Sequence, residues 1–158
     1  MDCCIINHPI LATTDEQADR QMNLVAIVFS VVTIAVHLIV FVVESFLWLK
    51  PVVHERLLGK LDSSIDVTVF EQAQILQVLF FNQGFYNLFV ALAGIVGFVL
   101  YRAGNKLGGI ALISYMCAFA LGAGLVLAYS TTAYTGAVVQ ALPPFLALLG
   151  FYSARQSK

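Results

Sequence analysis

Four long apolar stretches constrain this chain more than any other feature of its sequence. They lie at about residues 22–48, 74–101, 107–129 and 133–153. A helix of about 20 apolar residues crosses the hydrocarbon of a bilayer, and it satisfies its backbone hydrogen bonds internally, as lipid requires. The sequence therefore predicts an all-α membrane protein, a bundle of four transmembrane helices.

The composition supports this prediction and excludes some classes of function. Hydrophobic residues make up 60% of the 158 residues and charged residues 11%, with a mean hydropathy of +0.89. Soluble domains carry about 25% charged residues, so the apolar surplus of this chain belongs in lipid. The net charge is −1 and no basic run occurs, which argues against nucleic acid as a partner.

Both ends of the chain are predicted to be polar tails, residues 1–21 and 154–158. The first lacks the basic start and short apolar core of a cleavable signal peptide. The three cysteines, at positions 3, 4 and 117, form neither a disulfide framework nor a CxxC pair. Cys3 and Cys4 with His8 could bind a metal or carry a lipid, but an unstructured tail is favoured, and no metal or cofactor site is predicted.

The segment between the first two spans, residues 49–73, mixes charged and apolar residues. Pro51 ends the first span, and the segment is predicted to contain a short amphipathic helix that lies on the membrane surface. The apolar face of that helix would consist of Val52, Val53, Leu57, Leu58 and Leu61. We call the membrane face that carries this segment the lid side.

The distribution of basic residues predicts the orientation in the membrane. The face with both termini carries Arg20, Arg102, Lys106, Arg155 and Lys158, whereas the lid side carries Lys50, Arg56 and Lys60. Because cytoplasmic loops are enriched in lysine and arginine, we expect both termini in the cytoplasm and the protein in the inner (plasma) membrane.

Polar side chains on three different spans are predicted to lie at similar depths. His37 and Glu44 share one stripe of the first span, since seven residues are nearly two helical turns. The second span runs back from the lid side, so Asn82 and Gln83 fall near the level of Glu44, and Asn87 near that of His37. The other polar side chains of this set are Tyr86 on the second span and Gln140 on the fourth.

These side chains are costly to expose to lipid and can satisfy one another, so we predict a buried polar pocket in the lid-side half. The alternative is that the amides only hold helices together. Glu44 is either protonated or paired with His37, or it extends toward the headgroups from its place near the helix end. Trp48 is most simply an anchor at the membrane interface, with a place in the pocket wall as the alternative.

Small residues at a spacing of four predict where the helices approach closely. The pairs are Ala93/Gly97, Ala118/Gly122 and Ala120/Gly124.

Three segments of the chain, HLIVFVVESFLWLKP, FFNQGFYNLFVALAG and VVQALPPFLALLG, resemble a family of small bacterial membrane proteins catalogued as domain of unknown function 1304. The resemblance covers about residues 22–153, and its most specific part is the Asn-Gln-Gly-x-Tyr-Asn run. The longer acidic N-terminal tail and Pro144 depart from the family pattern. The resemblance implies four helices and no particular activity. The positions that match the family pattern are His37, Glu44, Trp48, Asn82, Gln83, Gly84, Tyr86, Asn87, Gln140 and Pro143.

Three classes of function remain open at this point. The first is a protein that binds or transports a small amphiphilic or cationic molecule or lipid, with Glu44 as the counter-charge and a homodimer expected because four helices make a thin wall. The second is an intramembrane enzyme that uses His37 and Glu44 as an acid/base pair on a lipid or isoprenoid-like substrate. The third is an accessory or assembly subunit with another membrane protein as partner.

Overall fold

The computed structural model describes residues 21–58 and 66–156, which form α-helices and no strand. The helices are α1 (Leu24–Phe46), α2 (Pro51–Leu58), α3 (Val69–Arg102), α4 (Lys106–Ser130) and α5 (Tyr134–Gln156). All except α2 are long and apolar enough to cross a membrane. The predicted all-α bundle of four spans is confirmed, and the chain is a multi-pass helical membrane protein.

Two helix ends differ from the predicted spans by more than two residues. α3 begins at Val69 rather than at residue 74, because Thr68 and Glu71 form a capping box that an apolar window does not detect. The Thr68 hydroxyl accepts from the Glu71 amide at 3.2 Å, and a Glu71 carboxylate oxygen accepts from the Thr68 amide at 2.9 Å. α5 continues to Gln156, so part of the predicted C-terminal tail is helical. Most of the predicted N-terminal tail, with Cys3, Cys4 and His8, lies outside the described residues.

The four long helices form a ring in which each packs against two neighbours. The extensive contacts join α1 to α3, α3 to α4, α4 to α5 and α5 back to α1, whereas α1 and α4 touch only slightly across the ring. The core between them consists mainly of small and medium apolar residues, among them Ile34, Ala91, Ile113, Met116 and Ala147. The sequence order of the helices is therefore also their order around the ring.

Asn23 joins the start of α1 to the end of α5. Its side-chain oxygen caps α1 by accepting from the Ala26 amide at 2.8 Å. Its side-chain nitrogen donates to the Gly150 carbonyl at 2.9 Å and to the Ser153 hydroxyl at 2.8 Å. One asparagine thus satisfies a helix terminus and fixes where the two antiparallel helices meet.

Glycines allow close helix contacts at some of the predicted positions and not at others. A Cβ on Gly109 would lie 2.6 Å from the Gly97 carbonyl oxygen, so α3 and α4 touch backbone to backbone there. Gly124 similarly packs against α5. The prediction for Ala118/Gly122 was wrong, because Ala118 is exposed and a Cβ on Gly122 would meet no atom within 4 Å. Spacing alone did not reveal which side of α4 faces the ring.

α2 is held against the start of α3 by an apolar cluster of its own. The cluster contains Trp48, Leu58 and Ala73, with Val53, Leu76 and Phe80 around it. Val52 and Leu57 are exposed on the other side of α2, so the predicted apolar face is divided between this cluster and the surface. Leu61, the remaining residue of that face, lies outside the described residues.

Candidate functional site

Glu44 and Asn87 form the central polar contact between α1 and α3. The Asn87 side-chain nitrogen donates to a Glu44 carboxylate oxygen at 3.0 Å and to the Gln83 carbonyl, also at 3.0 Å. Asn87 is buried and Glu44 is half-buried. Among the described residues, no lysine, arginine or histidine lies within ion-pair distance of Glu44. The site therefore holds a carboxyl group whose protein partner is a neutral amide.

Gly84 allows the two helices to come this close. A Cβ at this position would collide with the Ser45 hydroxyl and would lie 3.0 Å from the Phe41 carbonyl oxygen. The Ser45 hydroxyl also donates to the Phe81 carbonyl at 3.3 Å. The close approach at Gly84 fixes the register in which Asn87 reaches Glu44.

Glu44 opens onto a cleft of about 340 Å³ at the lid-side ends of α1 and α3. Aromatic and aliphatic side chains make up most of its wall, and Glu44 is the ionisable group in it. The lining residues are Glu44, Ser45, Phe46, Trp48, Leu49, Gln77, Val78 and Phe81. We call this space the Glu44 cleft.

His37 does not belong to the cleft. It is 2% exposed and lies in the core, and its Nδ1 is 2.9 Å from the Thr33 carbonyl oxygen. At 1.5 Å per residue, it lies about 10 Å deeper along α1 than Glu44. His37 and Glu44 make no contact with each other, so of the alternatives for Glu44 the pairing with His37 does not occur.

Three polar residues of α3 that were predicted to line the polar pocket lie outside the Glu44 cleft. Asn82, Gln83 and Tyr86 are exposed on the outer surface of this helix, and none lines the Glu44 cleft. The face of α3 that packs inward is the one that carries Gly84 and Asn87, because Gly84 permits the contact with α1. Polarity alone could not distinguish the inward face of α3 from its outer face. In the structure, Asn87 pairs with Glu44 rather than lying level with His37.

Gln140 and Trp48 also depart from the predictions. Gln140 is half-buried on α5, does not line the cleft, and makes no hydrogen bond within the described part of the chain. Trp48 is 2% exposed, so the interpretation as an interfacial anchor was wrong. Its ring stacks on Phe80 with centroids 3.6 Å apart, and its Nε1 donates to the Ala73 carbonyl at 2.7 Å. Trp48 also belongs to the lining of the Glu44 cleft.

Several lining residues had not been identified from the sequence, chiefly Phe46, Gln77 and Phe81. Gln77 and Phe81 are one turn apart on α3 and flank the inward face that contains Gly84. The small residues of that face were the signal that could have located them.

Comparison with known proteins places the chain in a family. Four membrane-spanning helices in a ring, with a carboxyl group in a cleft at one end, define a small multi-pass membrane protein. The family model described as "Protein of unknown function (DUF1304)" matches residues 31–152, so the chain belongs to that family, as the sequence resemblance indicated. The matched range contains Glu44, Asn87 and every residue of the cleft. Searches of curated proteins and of solved structures gave no match.

Proposed function

We propose that this protein binds a small amphiphilic cation in the Glu44 cleft, at the boundary between lipid and headgroups. One observation carries the proposal: Glu44 reaches the cleft without a cationic partner among the described residues. Removing a carboxylate from water is costly unless an opposite charge compensates it. A bound cation would supply that compensation.

The rest of the cleft favours an apolar tail on the same ligand. Phe46, Val78 and Phe81 line it and are exposed on the outer surface of the bundle. Aromatic side chains also attract cations at their faces. A ligand that carries an amine or quaternary ammonium on an alkyl or aromatic body fits this combination better than an inorganic ion or an anion.

Acid/base catalysis has less support from the geometry. The two groups of the hypothetical pair are about 10 Å apart along α1, and His37 lies in the packed core. Ser30 and Cys117 contact each other at 3.7 Å, and neither has an acid or base in hydrogen-bond contact within the described residues. Binding therefore remains the better proposal.

Transport follows from binding if Glu44 exchanges a proton for the ligand. A carboxyl group that is protonated when empty and ionised when occupied would couple ligand movement to proton movement. We propose this exchange in the inner membrane, with both termini in the cytoplasm as the distribution of basic residues predicts.

Tryptophan fluorescence tests the proposal directly, because Trp48 is the single tryptophan of the chain and lies in the cleft wall. The full-length protein in zwitterionic-lipid nanodiscs is titrated with alkyl amphiphiles of one chain length that carry trimethylammonium, neutral or sulfate heads. We expect a saturable change in Trp48 emission with the cation alone. Glu44→Gln should weaken it about tenfold or more, because a charged hydrogen-bond partner is lost.

Glu55→Gln is the matched control, since Glu55 is an exposed carboxylate on α2, outside the cleft. It should leave the affinity for the cation unchanged. Equal responses to the three head groups, or an unchanged response in Glu44→Gln, would remove the basis of the proposal. Proton flux driven by a gradient of the same cation in vesicles, with the same two variants, then separates transport from binding alone.

A further inference from the structure

The outer surface of α3 carries a continuous row of exposed side chains at coiled-coil spacing. The row consists of Ile75, Leu79, Asn82, Tyr86 and Phe89, which alternate in steps of four and three. Steps of four and three keep residues on one side of a helix that packs along a parallel neighbour. We call this row the α3 seam.

Each member of the seam is strongly exposed in the single chain. The exposed fractions are 72% for Ile75, 62% for Leu79, 61% for Tyr86 and 60% for Phe89, and Asn82 is also exposed. The inward face of α3, with Gly84 and Asn87, lies on the other side of the helix. None of the helices described in this chain covers the seam.

The depth of the seam follows from the contacts of α3 with α1. Phe81 lies level with Ser45, to which it is hydrogen-bonded, at the lid-side end of α1. The 23 residues of α1 already span about 34 Å, roughly the hydrocarbon thickness. The part of α3 before Phe81 therefore extends about 18 Å beyond the lid-side end of α1.

Polarity along the seam runs opposite to what a lipid-facing helix requires. Ile75 and Leu79 lie on the projecting part, where water and headgroups would surround them, whereas Asn82 and Tyr86 lie about 2 and 8 Å inside the level of Phe81, alongside α1. A helix that faced lipid would carry its aliphatic residues in the hydrocarbon and its polar residues beyond it. Neither lipid nor water suits the whole seam.

From this we infer that the α3 seam is a self-association surface, occupied by the α3 seam of a second copy of this chain. Two copies with the same orientation in the membrane place their α3 helices parallel, so each seam residue meets its own counterpart. Ile75 and Leu79 would then be removed from water. Asn82 would meet Asn82 of the second copy.

A carboxamide is suited to that position because it both donates and accepts hydrogen bonds. Two asparagines related by a two-fold axis therefore satisfy each other, and a single asparagine in an apolar seam is known to fix helix register. A different protein would need a matching row in the same register, whereas a second copy supplies one by symmetry. Val78, which lines the Glu44 cleft, neighbours Leu79 of the seam, so the second copy would lie beside the cleft.

Cysteine cross-linking tests the surface. Cys3→Ser, Cys4→Ser and Cys117→Ala provide a cysteine-free background in the full-length protein. Single cysteines are placed on the seam at Ile75, Leu79 and Tyr86, and off it at Gln74 and Val99, two exposed positions of the same helix. We expect oxidation in vesicles to give dimers from the seam positions at several-fold higher yield than from the two controls. Equal yields, or higher yields at the controls, would overturn the inference.

Introducing a negative or a positive charge at Asn82 tests whether the second chain is a copy of the first. Asn82→Asp and Asn82→Lys should each lower the association constant about tenfold or more, since like charges meet on the two-fold axis. Co-expression of the two variants under different affinity tags should restore the dimer. The same changes at Gln74 are the control and should have no effect. Unaltered association in both Asn82 variants, or no recovery on mixing, contradicts the inference, and neither outcome bears on ligand binding at Glu44.

Discussion

At the scale of single residues, the contact between Glu44 and Asn87 reduces the cost of removing two polar groups from water. Both groups would be unfavourable in lipid alone, and each reduces the cost of the other through one hydrogen bond of 3.0 Å. The carboxyl group still reaches the cleft, so the contact positions Glu44 without occupying it fully. A neutral partner is compatible with the proposed binding of a cation, because an arginine or lysine there would compete with it.

Asn87→Leu should destabilise the protein by about 1–3 kcal/mol, because it leaves the half-buried Glu44 without its hydrogen-bond donor. The measurement is reversible unfolding in mixed detergent micelles. Gln74→Leu, which removes an exposed carboxamide from the same helix, should change the free energy of unfolding far less.

A double-mutant cycle that combines Asn87→Leu with Glu44→Leu measures the coupling free energy of the contact itself. We expect a coupling free energy of about 1 kcal/mol between the two positions. Additive effects of the two substitutions would show that the 3.0 Å contact contributes nothing to stability.

At the scale of helices, backbone contact between α3 and α4 depends on glycine. Gly109→Ala should destabilise the bundle by about 1–3 kcal/mol, because its Cβ would meet the Gly97 carbonyl oxygen at 2.6 Å and backbone cannot rotate away. Gly122→Ala on the same helix is the control, since its Cβ would enter open space and alanine favours helix. Thermal unfolding of the two variants under the same conditions measures the difference in stability. A loss of stability in Gly122→Ala equal to that in Gly109→Ala would contradict the assigned contact.

The indole ring of Trp48 helps to hold α2 against α3. Trp48→Phe removes the hydrogen bond to the Ala73 carbonyl, worth about 0.5–1.5 kcal/mol, together with part of the stacking on Phe80. We expect faster hydrogen exchange in α2 and unchanged exchange in α4, measured by mass spectrometry. Val52→Ala, on the exposed side of α2, should leave both rates as they are. Uniformly faster exchange throughout the chain would instead mean that Trp48 stabilises the entire bundle.

At the scale of the whole molecule, the Glu44 cleft and the projecting part of α3 lie at one end of the ring of four helices. The interior of the ring is filled by small and medium side chains, and α1 and α4 touch across it, so the Glu44 cleft forms where α3 outreaches α1. α2 closes one side of this projecting part through its own cluster. The unequal lengths of the helices thus create both the cleft and the exposed part of the α3 seam.

The sequence by itself determined the four spans and the amphipathic segment between the first two, because long apolar runs permit only helices in lipid. The three segments that resemble the family predicted the chain's membership in it. The sequence also identified Glu44, Trp48 and Asn87 as residues of interest. It could not determine which of the adjacent residues Asn82, Gln83, Gly84 and Asn87 faces inward, since each polar one is equally unfavourable in lipid. The tertiary structure decided this through Gly84, where α1 and α3 can approach closely and so fix the rotation and register of α3. That choice brings Asn87 to Glu44, leaves His37 in the core, and turns Asn82 and Tyr86 to the outer surface.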